Sequence, residues 1–183
     1  NRGNLNLDEL AETLAQQIGP AEIIVNAIGF TAVDKAEAEL YEANTVNGIY
    51  AGKLAEVAAI LGAKCFHIST DYVFDGEKYG FYLEDDLRNP LGVYGKSKAA
   101  GEEAITRIFA ESLAKSSGQY AIFRTSWVYG DGGNFIRTML RLAKERSELR
   151  VINDQHGVPT SAQWLVDVAL HLVLDNAGTI RPF

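Results

Sequence analysis

Apolar residues recur at Leu7, Leu10, Ala11, Leu14, Ala15 and Ile18, the three- and four-residue steps of a helix that keeps one face dry. Gly19-Pro20 ends that stripe. Residues 22–29 (Glu-Ile-Ile-Val-Asn-Ala-Ile-Gly) then form a short β-branched run without polar alternation, which suits a strand covered on both faces. Residues 37–61 return to helical spacing of Ala, Leu, Tyr and Val, predicting one long helix closed by Gly62. Residues 64–74 read as a second strand and its exit. Residues 75–90, rich in Gly, Asp and Asn, read as a loop, and loops that long tend to carry function. A helix over 93–115, a strand over 119–129, a helix over 134–146, a short strand over 150–153 and a helix over 161–174 complete the pattern.

Strands alternating with helices long enough to cross over predict an α/β fold with a doubly wound parallel sheet and right-handed connections. Ligands of such sheets bind beyond the carboxyl ends of the strands. That rule singles out residues 26–29, 69–74 and 124–130.

The chain has 183 residues, 47% hydrophobic and 22% charged, which suits one globular domain or a piece of a larger one. With 17 Lys and Arg against 24 Asp and Glu, the formal charge of −7 disfavours nucleic acid and anionic membrane surfaces as partners. The longest apolar run, residues 164–174, is interrupted by Asp167 and His171 and is too short to span a bilayer. Cys65 is the only cysteine, so no disulfide forms within the chain, and a reducing, cytoplasmic location is expected.

Tyr94-Gly-Lys-Ser-Lys98 opens the helix after the long loop. Residues four apart share a helix face, so the Tyr94 phenol and the Lys98 ammonium can point into one crevice. At ~5 Å and an effective dielectric of ~20, the ammonium favours the phenolate by about 3 kcal/mol, or about two pKa units. A phenol tuned in this way exchanges a proton with a carbonyl or alcohol oxygen. The pair alone is weak, since a half-exposed helical Tyr beside a solvated Lys is ordinary. Ser69-Thr70-Asp71 adds hydroxyls at a strand end, where the bland alternative is a turn or helix cap. Trp127, in Arg124-Thr-Ser-Trp-Val-Tyr-Gly130, could stack on a sugar or nicotinamide face or fill core volume.

Taken in order, Val25-Asn-Ala27, Thr31-Ala-Val-Asp-Lys-Ala-Glu37, Ser69-Thr-Asp-Tyr-Val-Phe74, Tyr94-Gly-Lys-Ser-Lys98, Phe123-Arg-Thr-Ser-Trp-Val-Tyr129 and Val151-Ile-Asn-Asp-Gln155 resemble the dTDP-4-dehydrorhamnose reductase family. That family belongs to the extended short-chain dehydrogenase/reductases, and the resemblance runs from about Val25 to Ala162. It implies a Rossmann-like fold, NADPH or NADH as cofactor and a dTDP-sugar as substrate. It implies Tyr94 as general acid toward the C4 ketone, Lys98 as the residue lowering the Tyr94 pKa and bonding the nicotinamide ribose, and Thr70 as holder of the substrate carbonyl. Asp71 and Trp127 would contact the sugar, and Ala27, Ile28 and Gly29 would line the cofactor. Asn44 matches a position that supports the active-site backbone. A homodimer is an assembly the full-length protein could adopt.

The family begins with a glycine-rich strand–turn–helix unit that seats the cofactor pyrophosphate, and no such pattern opens this chain, which starts at Asn1. The expectation is therefore an incomplete Rossmann-like domain over 1–183, with part of the sugar-binding region, inactive and weak in cofactor affinity by itself. Two alternatives stay open: another nucleotide-sugar reductase, epimerase or dehydratase, and a non-catalytic regulatory subunit resembling the reductase. His67, His156 and His171 lack metal-ligand spacing, so no metal is expected, and His67 reads as an ordinary interior histidine. Glu84-Asp85-Asp86 reads as a solvated loop.

Overall fold

The computed structural model describes residues 6–112 and 119–174. They fall into two compact units that divide between Arg124 and Thr125.

The first unit opens with helix α1 (Leu7–Ile18), at the bounds the apolar stripe predicts. Strands β1 (Ile23–Asn26) and β2 (Lys64–Thr70) pair in parallel, with Asn26 opposite His67, and β3 (Tyr120–Thr125) lies on the other side of β2. Between β1 and β2 the single helix expected over 37–61 is instead broken into α2 (Val33–Ala36), α3 (Leu40–Asn44), a π-helical turn (Thr45–Ile49) and α4 (Tyr50–Leu61). The physical reason is tertiary. Glu37, in the gap between α2 and α3, accepts the Val93 backbone N–H at 2.8 Å. It thereby places a carboxylate at the positive end of α5 (Val93–Ser112). The π turn widens the helix by one residue so that Asn47 reaches the chain after β1. Gly62 ends α4 with φ +65°, as the pattern predicts. The last residues of the helix expected over 93–115 lie outside the described residues.

The core of this unit lies where α4 and α5 cover one face of the sheet. Ala51, Ala55, Ala58, Ala63, Cys65, Ile105 and Phe109 are buried together, with Ile24, Tyr120 and Ile122 packed against them. Alanines on α4 let the helix backbones approach closely, and the full burial of Ile105 and Phe109 contributes about 1.5–3 kcal/mol each. Gly101 marks the nearest approach: a Cβ there would stand 2.2 Å from the Asn47 carbonyl oxygen. α1 adds Ala11 and Ala15 against Val57 of α4.

In the second unit, β4 (Val128–Tyr129) pairs in parallel with β5 (Thr160–Ser161), and helices α6 (Phe135–Glu145) and α7 (Ala162–Val173) follow their respective strands. Asn134 and Ser161 cap these helices by accepting the backbone N–H of Arg137 and Trp164. Two expectations fail here. The strand predicted over 119–129 is divided, because Trp127 adopts φ +43°, which interrupts the extended backbone between β3 and β4. Residues 150–153 form no strand: Val151 and Ile152 stand 54% and 68% exposed, and the strand that pairs with β4 is Thr160–Ser161, too short to leave a periodic signal. Among the described residues no helix is long and apolar enough to cross a membrane.

Candidate active site at the carboxyl end of the sheet

β2 ends in Thr70, whose hydroxyl accepts the Tyr72 N–H at 3.2 Å and so caps the 3₁₀ turn Asp71–Val73. The cap expected as the bland alternative is therefore real. Thr70 is nonetheless buried, and its hydroxyl lies near enough to the Tyr94 phenol to counter part of the rise in that group's pKa. The same hydroxyl lies 3.0 Å from Asp71 Oδ1. It has one hydrogen to give, and Asp71 is placed to receive it.

Tyr94 reaches this place because the residue after it is glycine. A Cβ at Gly95 would stand 2.2 Å from the Tyr72 carbonyl oxygen, so only glycine lets the first turn of α5 lie on the turn that carries Asp71 and Tyr72. The rings of Tyr72 and Tyr94 meet edge to face at 5.5 Å. Ser97, fully buried, donates to the Tyr94 carbonyl at 2.8 Å and receives the Asn47 side-chain amide at 2.9 Å.

Lys98, one turn beyond Tyr94, is buried and donates to the Ile68 carbonyl at 2.6 Å. Its second neighbour is His67 Nε2 at 3.4 Å. Here the electrostatic expectation is corrected. Burial raises the Tyr94 phenol above its ordinary value, partly offset by the Thr70 hydroxyl, and Asp71 and Tyr72 add to the rise. Lys98 is not among the groups acting on the phenol, because its amine is turned toward the sheet. Burial lowers Lys98 itself to about 8, against the opposing charge of Glu102. Burial likewise pushes the Cys65 thiol up to about 12, which leaves it unreactive in the core.

Gly29, just past the end of β1, lies against the same amine: a Cβ there would be 4.0 Å from Lys98 Nζ and 3.5 Å from Asn47 Oδ1. Ala27 and Ile28, predicted with Gly29 to line a cofactor, sit exposed at the mouth of the strand. A sugar-ring diol fits this corner chemically. Gly29 offers a bare backbone, and Lys98 has two hydrogen-bond neighbours among the described residues for three N–H in its charged form. Trp127 belongs to the second unit, 42% exposed, with its ring tilted on Phe135 at 6.5 Å and its carbonyl accepting the Thr160 N–H. Its φ of +43° is costly for a non-glycine residue, by about 1–3 kcal/mol, and strain of that kind gathers at functional sites.

The supporting asparagine is Asn47 and not Asn44. Asn44 returns its amide to the Leu40 carbonyl on its own helix. Asn47 is buried, accepts the Phe30 N–H at 2.9 Å and donates to the Phe30 carbonyl at 3.1 Å, holding the chain that leaves β1. Asn47→Ala is expected to cost about 2 kcal/mol by orphaning those groups, lowering the urea midpoint at unchanged slope. Asn44→Ala should cost no more than about 0.5 kcal/mol. Equal effects at the two positions would refute the assignment.

Residues 2–180 match the family model of the RmlD substrate binding domain. The chain is 49% identical over 169 residues to the dTDP-4-dehydrorhamnose reductase of Escherichia coli K12, covering 92% of this chain and 53% of that protein. The crystal structure of a dTDP-4-dehydrorhamnose reductase from Clostridium acetobutylicum superposes with a TM-score of 0.81 at 38% identity, over 92% of this chain and 56% of that one. A Bacillus anthracis dTDP-4-dehydrorhamnose reductase in complex with NADP gives 0.77 at 39% identity, over 90% and 56%. The chain spans about half the length of the curated relatives it matches. The family model covers nearly the whole chain, and the chain belongs to the RmlD substrate binding domain family.

Proposed function

We propose that the full-length protein reduces the C4 ketone of dTDP-4-dehydro-L-rhamnose to dTDP-L-rhamnose. The observation that carries this reading is the packing of α5, with Tyr94 and Lys98, on the carboxyl end of β2, where Thr70 is buried. It occurs in a chain whose relatives over this stretch are named for that reduction. NADPH or NADH, when bound, supplies the hydride for C4.

The protein's own residues handle the ketone oxygen. Tyr94 is the general acid. Burial holds its phenol above the ordinary value and so protonated, the form an acid must start in. Thr70 can turn its single hydrogen from Asp71 to the ketone oxygen, polarising it and fixing its position. Asp71, 3.0 Å from the Thr70 hydroxyl, is the residue we assign as a sugar contact, and Trp127 is assigned as another. Ala27, Ile28 and Gly29 line the cofactor, whose ribose hydroxyls Lys98 would hold. A cytoplasmic location belongs to the same reading, because both reactants are soluble nucleotides.

The test is a reduction assay on the purified full-length protein with the 4-keto sugar and NADPH. Ketone-dependent NADPH oxidation with dTDP-L-rhamnose as product is expected. Binding of both reactants without oxidation would point to a regulatory relative. An epimerised or dehydrated product would assign a sister enzyme.

A further inference from the structure

Gly157 belongs to a stretch that runs alongside the turn carrying Trp127. Val158 donates its N–H to Ser126 Oγ at 3.3 Å, and Thr160 donates its N–H to the Trp127 carbonyl at 3.2 Å, where β5 begins to pair with β4. Gly157 does not have a positive φ, so no left-handed backbone calls for glycine there. Space does. A Cβ at this position would stand 2.7 Å from Trp127 Cε2, 2.8 Å from Ser126 Oγ and 3.0 Å from Trp127 Cδ2.

Cδ2 and Cε2 are the two atoms shared by both rings of the indole, and each is hemmed by bonded ring atoms within the plane. An atom that comes nearest to these two, with no other ring atom as close, can do so only from above the plane. Gly157 therefore lies on one face of the indole, with a hydrogen where a side chain would begin pointed at the fused bond. Trp127 remains 42% exposed, and Phe135, 58% exposed at the start of α6, stands beside it with its ring tilted by 34°. With Gly157 on one face, a ligand ring can stack only on the other. We propose that Gly157 is a positioning residue for Trp127, seating one face of the indole on bare backbone so that the other receives the sugar ring of the substrate.

This use of Gly157 rests on the reading of Trp127 as a sugar contact. The apolar C–H face of a pyranose lies flat on an aromatic ring, and a gap of even 0.5–1 Å, roughly, forfeits a quarter to a half of each atomic contact. The Trp127 backbone, at φ +43°, is fixed through its carbonyl by Thr160. A methyl group at position 157 is therefore relieved by turning the rigid bicycle about its side-chain bonds, away from Gly157 and into the space of the stacked sugar. Moving Ser126 Oγ instead would break its bond with the Val158 N–H.

Proton NMR of the unaltered full-length protein reads the contact directly. A hydrogen over an aromatic face is shielded, so one Hα signal of Gly157 is expected well upfield of other glycines and back in the ordinary range in Trp127→Ala. An ordinary Gly157 signal in the unaltered protein overturns the proposal. Calorimetric titration with dTDP-L-rhamnose and with dTDP tests the consequence. Gly157→Ala is expected to weaken dTDP-L-rhamnose binding about tenfold and dTDP binding less than about twofold. In a Trp127→Ala background the same substitution should change dTDP-L-rhamnose binding less than about twofold, because no ring is left to displace. Equal losses with and without the indole would show a merely structural role, and equal losses for the two ligands would put the nucleotide on the ring; either overturns the proposal. Should Gly157→Ala fail to fold, the Hα signal decides. Unchanged dTDP-L-rhamnose binding in Trp127→Ala would remove the sugar contact and the proposal together. Weakened binding there, with none in folded Gly157→Ala, would remove the proposal alone. None of these readouts needs turnover, so a failed reduction assay leaves the positioning role standing.

Discussion

Tyr94→Phe in the full-length protein is expected to lower turnover by about 10²–10⁴-fold while sugar and cofactor binding change little, the loss typical of removing a positioned general acid. The substitution keeps the ring, and with it the edge-to-face packing on Tyr72 at 5.5 Å. It deletes only the hydroxyl. Thr70 is not stranded by this, because its oxygen still accepts the Tyr72 N–H and its hydrogen still has Asp71. The stability cost should therefore be about 1 kcal/mol or less. Turnover and thermal midpoint, measured on the same preparation, separate the two effects. A variant that keeps more than about a tenth of its turnover would mean that another group protonates the ketone oxygen.

Much of this site could be read from residue order. The rule that ligands lie beyond strand ends selects residues 26–29 and 69–74. The structure brings Gly29, Thr70, Asp71, Tyr94 and Lys98 together in the first unit. What escaped depends on contacts that leave no periodic trace. The π turn at Thr45–Ile49 leaves no mark in the apolar pattern, and Asn47, not the Asn44 that the resemblance implied, holds the backbone after β1. Gly95 is legible in hindsight. Glycine inside a helix costs about 1 kcal/mol relative to alanine, so its presence asks for a packing reason, and the Tyr72 carbonyl supplies it. The Tyr94 expectation had the wrong sign because charge can be counted along a sequence and burial cannot. Short strands such as Thr160–Ser161 are set by a partner and not by their own residues.

Glu102→Gln is expected to destabilise the protein by about 3 kcal/mol at neutral pH, the cost of breaking a buried ion pair while leaving its partners in place. Glu102 is fully buried on α5. Its carboxylate takes Arg124 at 2.8 Å, Arg88 at 3.3 Å and the Ser69 hydroxyl at 2.5 Å. Arg124 donates onward to the Glu84 carbonyl and lies over the Phe74 ring, and Arg88 belongs to the loop over 75–90. One carboxylate thus joins α5, the end of β2, β3 and the long loop that follows Asp71. A glutamine of the same size would turn an N–H toward guanidinium groups that can only donate. Burial pushes the Glu102 carboxyl up, but the Arg124 and Ser69 hydrogen bonds and the arginine charges outweigh it, and the net position is below the ordinary value. A carboxyl depressed on folding stabilises the native state above its unfolded pKa of about 4.3, and that contribution disappears as pH falls through the folded value. The stability difference between the native protein and Glu102→Gln should therefore be full at pH 7 and shrink toward zero on acidification below the carboxylate range. Urea unfolding of both proteins across that range measures it. A difference that persists undiminished in acid would show that Glu102 acts through shape and not through charge.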